Sequence, residues 1–190
     1  PDSTYERAKG RYEDLGQWLS MPLSGVVRYA PHILPQGSFR LGTAIRPLTN
    51  EEEYDLDITC RLESDLNMSN ITQAGLRALI RKDIEAYRQE RKIETPIEEH
   101  HRCLRLEYKD TIGFHMDIVP SIPDSEINRK LLKEAYSAHS YSESLMKATL
   151  FQSSRITDDR RADFQQISID WLVSNPEGYA QWFEEKMRTK

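Results

Sequence analysis

The chain has 190 residues, of which 38% are hydrophobic and 30% charged, with a mean hydropathy of −0.70. That size suits one substantial domain or two small ones, and folding at this length buries roughly 70% of the extended chain's surface. The composition is that of a soluble globular protein. It argues against disorder, and no apolar run approaches the roughly 20 residues that a membrane span needs. Lys and Arg number 26 against 31 acids, a net charge of −5, so the electrostatic field expected of a binder of long nucleic acid is missing. Any phosphate handled here is expected to be small and local. Two cysteines, Cys60 and Cys103, are too few for a disulfide framework and suit a reducing compartment. The start, Pro1 to Glu6, has neither the basic nor the apolar segment of a secretion signal. It also lacks an initiator Met, and the chain stops inside what reads as a helix, Trp182 to Lys190, so a piece of a longer protein is expected.

In chain order, Tyr5, Ala8, Tyr12, Leu15 and Leu19 recur at helical spacing over residues 4–19, with Ser3 or Thr4 as candidate cap. Pro31 to Pro35 reads as a short extended stretch, followed by Gln36-Gly37-Ser38-Phe39-Arg40-Leu41-Gly42-Thr43. Residues 54–62 alternate polar and apolar with period two, the signature of a strand. A long helix is expected over 70–92, with Ile71, Ala74, Ala78, Ile80, Ile84 and Tyr87 on its apolar side. Two strands follow at Cys103–Lys109 and Phe114–Val119, joined by the turn-sized Asp110-Thr111-Ile112-Gly113. Residues 124–148 read as mostly helical and polar, and Phe151–Ile156 as a further strand. Ser174-Asn175-Pro176-Glu177 places a cap residue before a proline, which opens a last helix. The order gives a mixed α/β (α+β) chain on a small mixed sheet flanked by helices. A core is expected over 1–170 and the start of a helical region over 171–190.

Three features could carry chemistry. Asp55 and Asp57 stand at i and i+2 of a strand, so both carboxylates face one side while Leu56 and Ile58 face the other. Two adjacent carboxylates repel unless a cation sits between them, and Mg²⁺ with its oxygen ligands fits; a solvated acidic face is the plainer alternative. Asp117 lies among apolar residues on a core strand, where a bare acid is costly to bury. Either the hairpin mate Leu104-Arg105-Leu106-Glu107 pairs with it, or it shares a metal site with the other two acids. Three acids on neighbouring strands could hold two ions for phosphoryl chemistry. Gly37-Ser38, between a strand and a short helix, offers backbone N–H groups and a hydroxyl to a phosphate.

Gly37-Ser38, Asp55-x-Asp57 and a later Asp117 resemble the pattern of polymerase-β-like nucleotidyltransferases. The wording of four separated motifs is similar to the bacterial cGAS/DncV-like nucleotidyltransferases, the CD-NTases of CBASS anti-phage defence. These are Pro35 to Pro47, Glu53 to Ile58, Phe114 to Pro120 and Ser174 to Phe183, and the resemblance spans roughly residues 5–185. It implies a polymerase-β-like core in a cytoplasmic enzyme that joins NTPs into cyclic di- or trinucleotides, or short linear ones, acting on a downstream effector. By the same resemblance Asp55, Asp57 and Asp117 are catalytic and hold two Mg²⁺ ions, with Mn²⁺ as a substitute. Asp117 also helps to activate the attacking ribose hydroxyl. Gln36, Gly37 and Ser38, with Phe39 and Arg40, bind the donor nucleotide. The C-terminal helical region of such enzymes is expected to be truncated or absent here, and regulatory or effector proteins of a defence operon are the expected partners. Transfer to another acceptor (a tRNA 3′ end, a small-molecule hydroxyl or a protein) and a non-catalytic nucleotide sensor on the same fold stay open beside it.

Arg77, Arg81, Arg88 and Lys92 line one side of the long helix, but Asp83, Glu85, Glu90 and Glu94 interleave with them. This reads as a solvated, ion-paired face rather than a nucleic-acid surface. His100, His101 and Cys103 lack a second ligand cluster at finger spacing, so no structural zinc is expected. The three tryptophans and Phe183 read as core, and Arg40 and Arg46 as candidate phosphate contacts.

Overall fold

The structure, a computed structural model, describes residues 2–41, 54–109, 114–137 and 150–188. Helix α1 (Asp2–Leu19) leads through a single 3-10 turn to β1 (Pro31–Pro35) and the short α2 (Gly37–Leu41). Then come β2 (Tyr54–Leu62), α3 (Gln73–Glu90), β3 (Glu98–Glu99), β4 (Leu104–Tyr108) and β5 (Phe114–Pro123). Helix α4 (Glu126–Ser137), β6 (Ser154–Ile156), β7 (Leu172–Ser174) and α5 (Pro176–Arg188) follow.

One mixed sheet holds all seven strands of the described residues. Its main order is β1-β2-β5-β4-β3, and β6 joins the far end of β5 and carries β7 outward. Only the central β2–β5 pair is parallel, as expected of strands linked by a helical crossover. Period-two alternation sorts the two faces. Leu56, Ile58, Cys60 and Leu62 of β2, Leu104 and Leu106 of β4, and Phe114, Met116 and Ile118 of β5 form a buried layer. Against it pack Ala8, Leu15 and Leu19 of α1 and Leu76, Ile80, Ile84 and Tyr87 of α3. Each fully buried aliphatic side chain contributes about 1.5–3 kcal/mol by leaving water. The sheet's other face is thereby left to polar residues.

Several expectations shift. Helix α1 starts at Asp2, so Ser3 and Thr4 lie inside its first turn instead of capping it. Helix α3 is capped by Thr72, whose hydroxyl accepts from the Gly75 N–H at 2.9 Å. Its buried side runs through Gln73, Leu76, Arg77, Ile80, Asp83, Ile84 and Tyr87, whereas Ala78 is exposed. The reason is polar burial. Asp83 accepts from the Ser24 hydroxyl and the Gly25 and Val26 amides at 2.8–3.1 Å, which ties α3 to the loop before β1. Phe151 and Gln152 are helical, so the strand expected over 151–156 is confined to β6. The sheet also runs past residue 170 through β7, which pairs with β6. Trp171 is buried, but Trp182 is exposed beside Tyr179 on the outer side of α5, with ring centroids 5.8 Å apart, and Phe183 is only half-buried. The 110–113 turn, Arg46 and the linker before β2 lie outside the described residues.

Candidate active site

The polar face is organised by strand register. Parallel pairing sets Asp57 beside Asp117 and Asp55 beside His115. Antiparallel pairing then sets Arg105 beside Asp117, and Glu98 beside Arg105. One row across the sheet therefore reads Asp57, Asp117, Arg105, Glu98, with Asp55, His115 and Glu107 in the next. Asp55, Asp57 and Asp117 each offer a carboxylate oxygen within 4.8 Å of the others. Among the described residues this is the group of metal-ligating side chains that converges.

The electrostatics around the three acids differ. Asp117 is nearly buried and receives both arms of the Arg105 guanidinium, Nε to Oδ1 at 2.7 Å and Nη2 to Oδ2 at 2.8 Å. The ion pair from the hairpin mate and the convergence with Asp55 and Asp57 are thus both present. Asp55 lies 3.2 Å from His115 Nε2, and this hydrogen bond holds its carboxyl below the usual range. Asp57 has no such partner: burial first, then the charges of Asp55 and Asp117, raise its pKa to about 6. A hard divalent cation would relieve that crowding, and an all-oxygen set of three carboxylates is the donor set that Mg²⁺ or Mn²⁺ prefers. Cys103, close to Asp117, is an unreactive thiol, pushed up to about 12 mainly by burial.

The turn before α2 abuts this cluster. Gly37 has φ +62°, and a Cβ there would lie 2.6 Å from Asp57 Oδ2. Only a glycine fits, by conformation and by space. The turn is fastened by Gln36, whose N–H donates to the Asp57 carbonyl at 2.9 Å and whose Oε1 accepts from the Thr59 hydroxyl at 3.1 Å. The five residues expected to bind nucleotide therefore stand differently. Gly37 and Ser38 are exposed, and Gly37 abuts Asp57. The Gln36 amide is already engaged with β2. Phe39 is a core residue, 9% exposed and edge-on to Tyr12 at 6.1 Å, because the short helix must bury one side against α1. Arg40 points to α5, where it pairs with Glu177 and Glu184.

Sequence reasoning did not select His115 as a site residue. Its signal was available, since it stands two positions before Asp117 on the same strand and so shares its face. His100 and His101 lie beside Glu98 and Asp159, at 3.6 and 2.7 Å.

Residues 31–120, which hold β1, the glycine turn and all three aspartates, match the nucleotidyltransferase domain of the cyclic GMP-AMP synthase DncV-like family. That segment is thus similar to a DncV-like nucleotidyltransferase domain. A c-di-GMP synthase of Roseivirga ehrenbergii is 29% identical over 182 residues, covering 94% of this chain and 38% of that protein. The cyclic dinucleotide synthase CdnG of Bradyrhizobium diazoefficiens is 29% identical over 121 residues, 64% of this chain and 26% of that protein. The chain thus spans well under half the length of the curated relatives it matches. The structure of CdnG in complex with GTP superposes with a TM-score of 0.63 over 96% of this chain and 42% of that one, at 20% identity. It shares the DncV-like fold: a mixed sheet flanked by helices.

Proposed function

We propose that this chain is the catalytic domain of a divalent-cation-dependent nucleotidyltransferase that joins NTPs into a cyclic di- or trinucleotide, or a short oligonucleotide, as a second messenger in bacterial anti-phage signalling. One observation carries the reading: three carboxylates within 4.8 Å of one another, beside a glycine turn whose backbone comes too close to Asp57 for any side chain. Relatives described as cyclic dinucleotide synthases support the same class of product. The two unpaired thiols suit a cytoplasmic setting, and no helix among the described residues is long and apolar enough to cross a membrane.

In this reading Asp55, Asp57 and Asp117 hold two Mg²⁺ ions, or Mn²⁺ in their place. Bound there, the ions would offset charge on the phosphates and clamp the entering and leaving oxygens. The chain's own residues do the rest. Gly37 and Ser38 receive the donor phosphates through backbone approach and a hydroxyl. His115 fixes the rotamer of Asp55, and the Arg105 fork fixes both oxygens of Asp117. Asp117, so aimed, accepts the hydrogen bond of the attacking ribose hydroxyl. Regulatory or effector proteins of a defence operon belong to the same proposal.

The test is product analysis by mass spectrometry from mixed NTPs and Mg²⁺, with full-length protein and no added acceptor. A cyclic oligonucleotide, absent with Asp57→Asn, is expected. Product only when tRNA, a small alcohol or a protein is supplied would move the assignment to another acceptor. Nucleotide binding without turnover would make the domain a sensor.

A further inference from the structure

Arg40 stands in the single turn of helix that follows Gly37, yet its guanidinium reaches a helix at the other end of the chain. Nε and Nη2 donate to the two Glu177 carboxylate oxygens, each at 2.7 Å, and Nη1 donates to Glu184 Oε1 at 3.0 Å. Two carboxylates on one guanidinium leave the cluster net negative, and its fork is filled by the bidentate partner. A triphosphate brought against Arg40 in this arrangement would be repelled. The acids are themselves held in place. Asn175 Oδ1 caps α5 by accepting from the Gly178 N–H at 2.8 Å, and a Cβ on Gly178 would lie 2.8 Å from the Asn175 side chain, so the first turn has one packing. On its other sides α2 is fixed by the Gln36 amide on the Asp57 carbonyl and by Phe39 against Tyr12. Three anchors thus set the turn, to β2, α1 and α5, and only the last is made entirely of charged side chains near the surface.

We propose that Arg40 is a positioning residue: with Glu177 and Glu184 it fastens the Gly37–Ser38 turn to α5, so that α5 sets how the turn stands against the aspartates. The inference rests on the reading that this turn receives the donor phosphates. It makes α5 a place from which the site can be tightened or loosened without contact with nucleotide. A turn that holds phosphate alike in ground and transition states affects KM more than kcat.

The experiment compares Arg40→Gln with the paired change Glu177→Gln and Glu184→Gln in the full-length protein, with ATP and GTP as substrates. Both sides of the latch are expected to raise KM by a similar factor, roughly tenfold, with kcat within about twofold. Combining all three changes should be no worse than either side alone, as for groups acting as a unit. Arg40→Lys, which keeps the charge but not the fork, should recover part of the loss. The opposite sign overturns the proposal. If Arg40 contacts phosphate directly, removing the two acids frees it and KM falls or stays unchanged, while Arg40→Gln alone raises it. A loss in kcat at constant KM also overturns it. Amide exchange at residues 37–41 gives a readout free of catalysis and should quicken in the acid-side variant. If wild-type protein makes no product, the enzymatic reading fails while exchange still decides the latch; unchanged exchange there sinks the latch alone.

Discussion

Asp57 is the residue on which the site's electrostatics converge. Its pKa is raised to about 6 by burial and by two neighbouring acids. The folded protein therefore keeps a proton that the unfolded chain has already released, over the interval from the ordinary aspartate value up to about 6. Stability of the cation-free protein accordingly falls as pH rises through that interval and stays lower above it. Asp57→Asn removes this dependence. The variant should melt higher than wild type in a chelator at mildly alkaline pH, and the advantage should vanish near pH ~4. Mg²⁺ should raise the wild-type melting temperature and leave that of the variant unchanged. Thermal melts across pH check both, and a variant less stable than wild type at mildly alkaline pH would contradict the assignment. Gly37 supplies the second residue-scale expectation. Gly37→Ala must adopt a left-handed conformation at a cost of about 1–2 kcal/mol. Its Cβ must also push Asp57 Oδ2 away from 2.6 Å. A lowered melting temperature together with weakened NTP binding by calorimetry is expected. Normal affinity would show that the turn does not face the ligand.

At the scale of elements, the β4–β5 hairpin is what makes a buried acid tolerable. Arg105 and Asp117 are direct cross-strand partners, so the fork is a consequence of register. Arg105→Met leaves a nearly buried carboxylate beside two others and should cost about 1–3 kcal/mol. Because a divalent cation can replace the lost positive charge, the Mg²⁺-induced rise in melting temperature should be larger in this variant than in wild type. A smaller rise would mean that Arg105 helps to build the cation site instead of offsetting the same charge. The hairpin also shows what a sequence discloses. Strong alternation over 54–62 and 114–119 marks two strands and puts Asp55, Asp57 and Asp117 on one face, because period two is a local property. The three-residue β7 carries no such signal: Val173 is half-exposed and the strand is too short for a pattern. The partners of Arg40 are hidden for a different reason. Its neighbours Gly37 and Ser38 suggest a phosphate contact, and nothing local reveals that Glu177 and Glu184 will fold back onto it. Long-range ion pairs leave no periodicity. Asp83 is the same lesson reversed, since an acid among basic residues reads as surface and turns out to cap buried amides of a distant loop.

Across the whole molecule, the charge distribution bears on what the domain will not bind. The chain carries −5 overall, and the three arginines of α3 are used within the fold. Arg77 is buried and donates to the carbonyl oxygens of His100, His101 and Cys103 and to Glu99. The face expected to be solvated is thus partly internal at this residue, because the loop before β4 needs its carbonyls satisfied. Arg81 pairs with Glu99 at 2.7 Å and Arg88 with Glu85 at 2.7 Å. Duplex DNA would have to compete with those acids for the Arg81 and Arg88 guanidinium groups, and few counterions would be released there. Double-stranded DNA should therefore show little affinity in a mobility-shift assay at physiological salt and should not stimulate product formation from NTPs. Tight binding that weakens steeply with salt, and disappears when Arg81 and Arg88 are reversed to Glu, would show that these ion pairs open to a nucleic-acid partner.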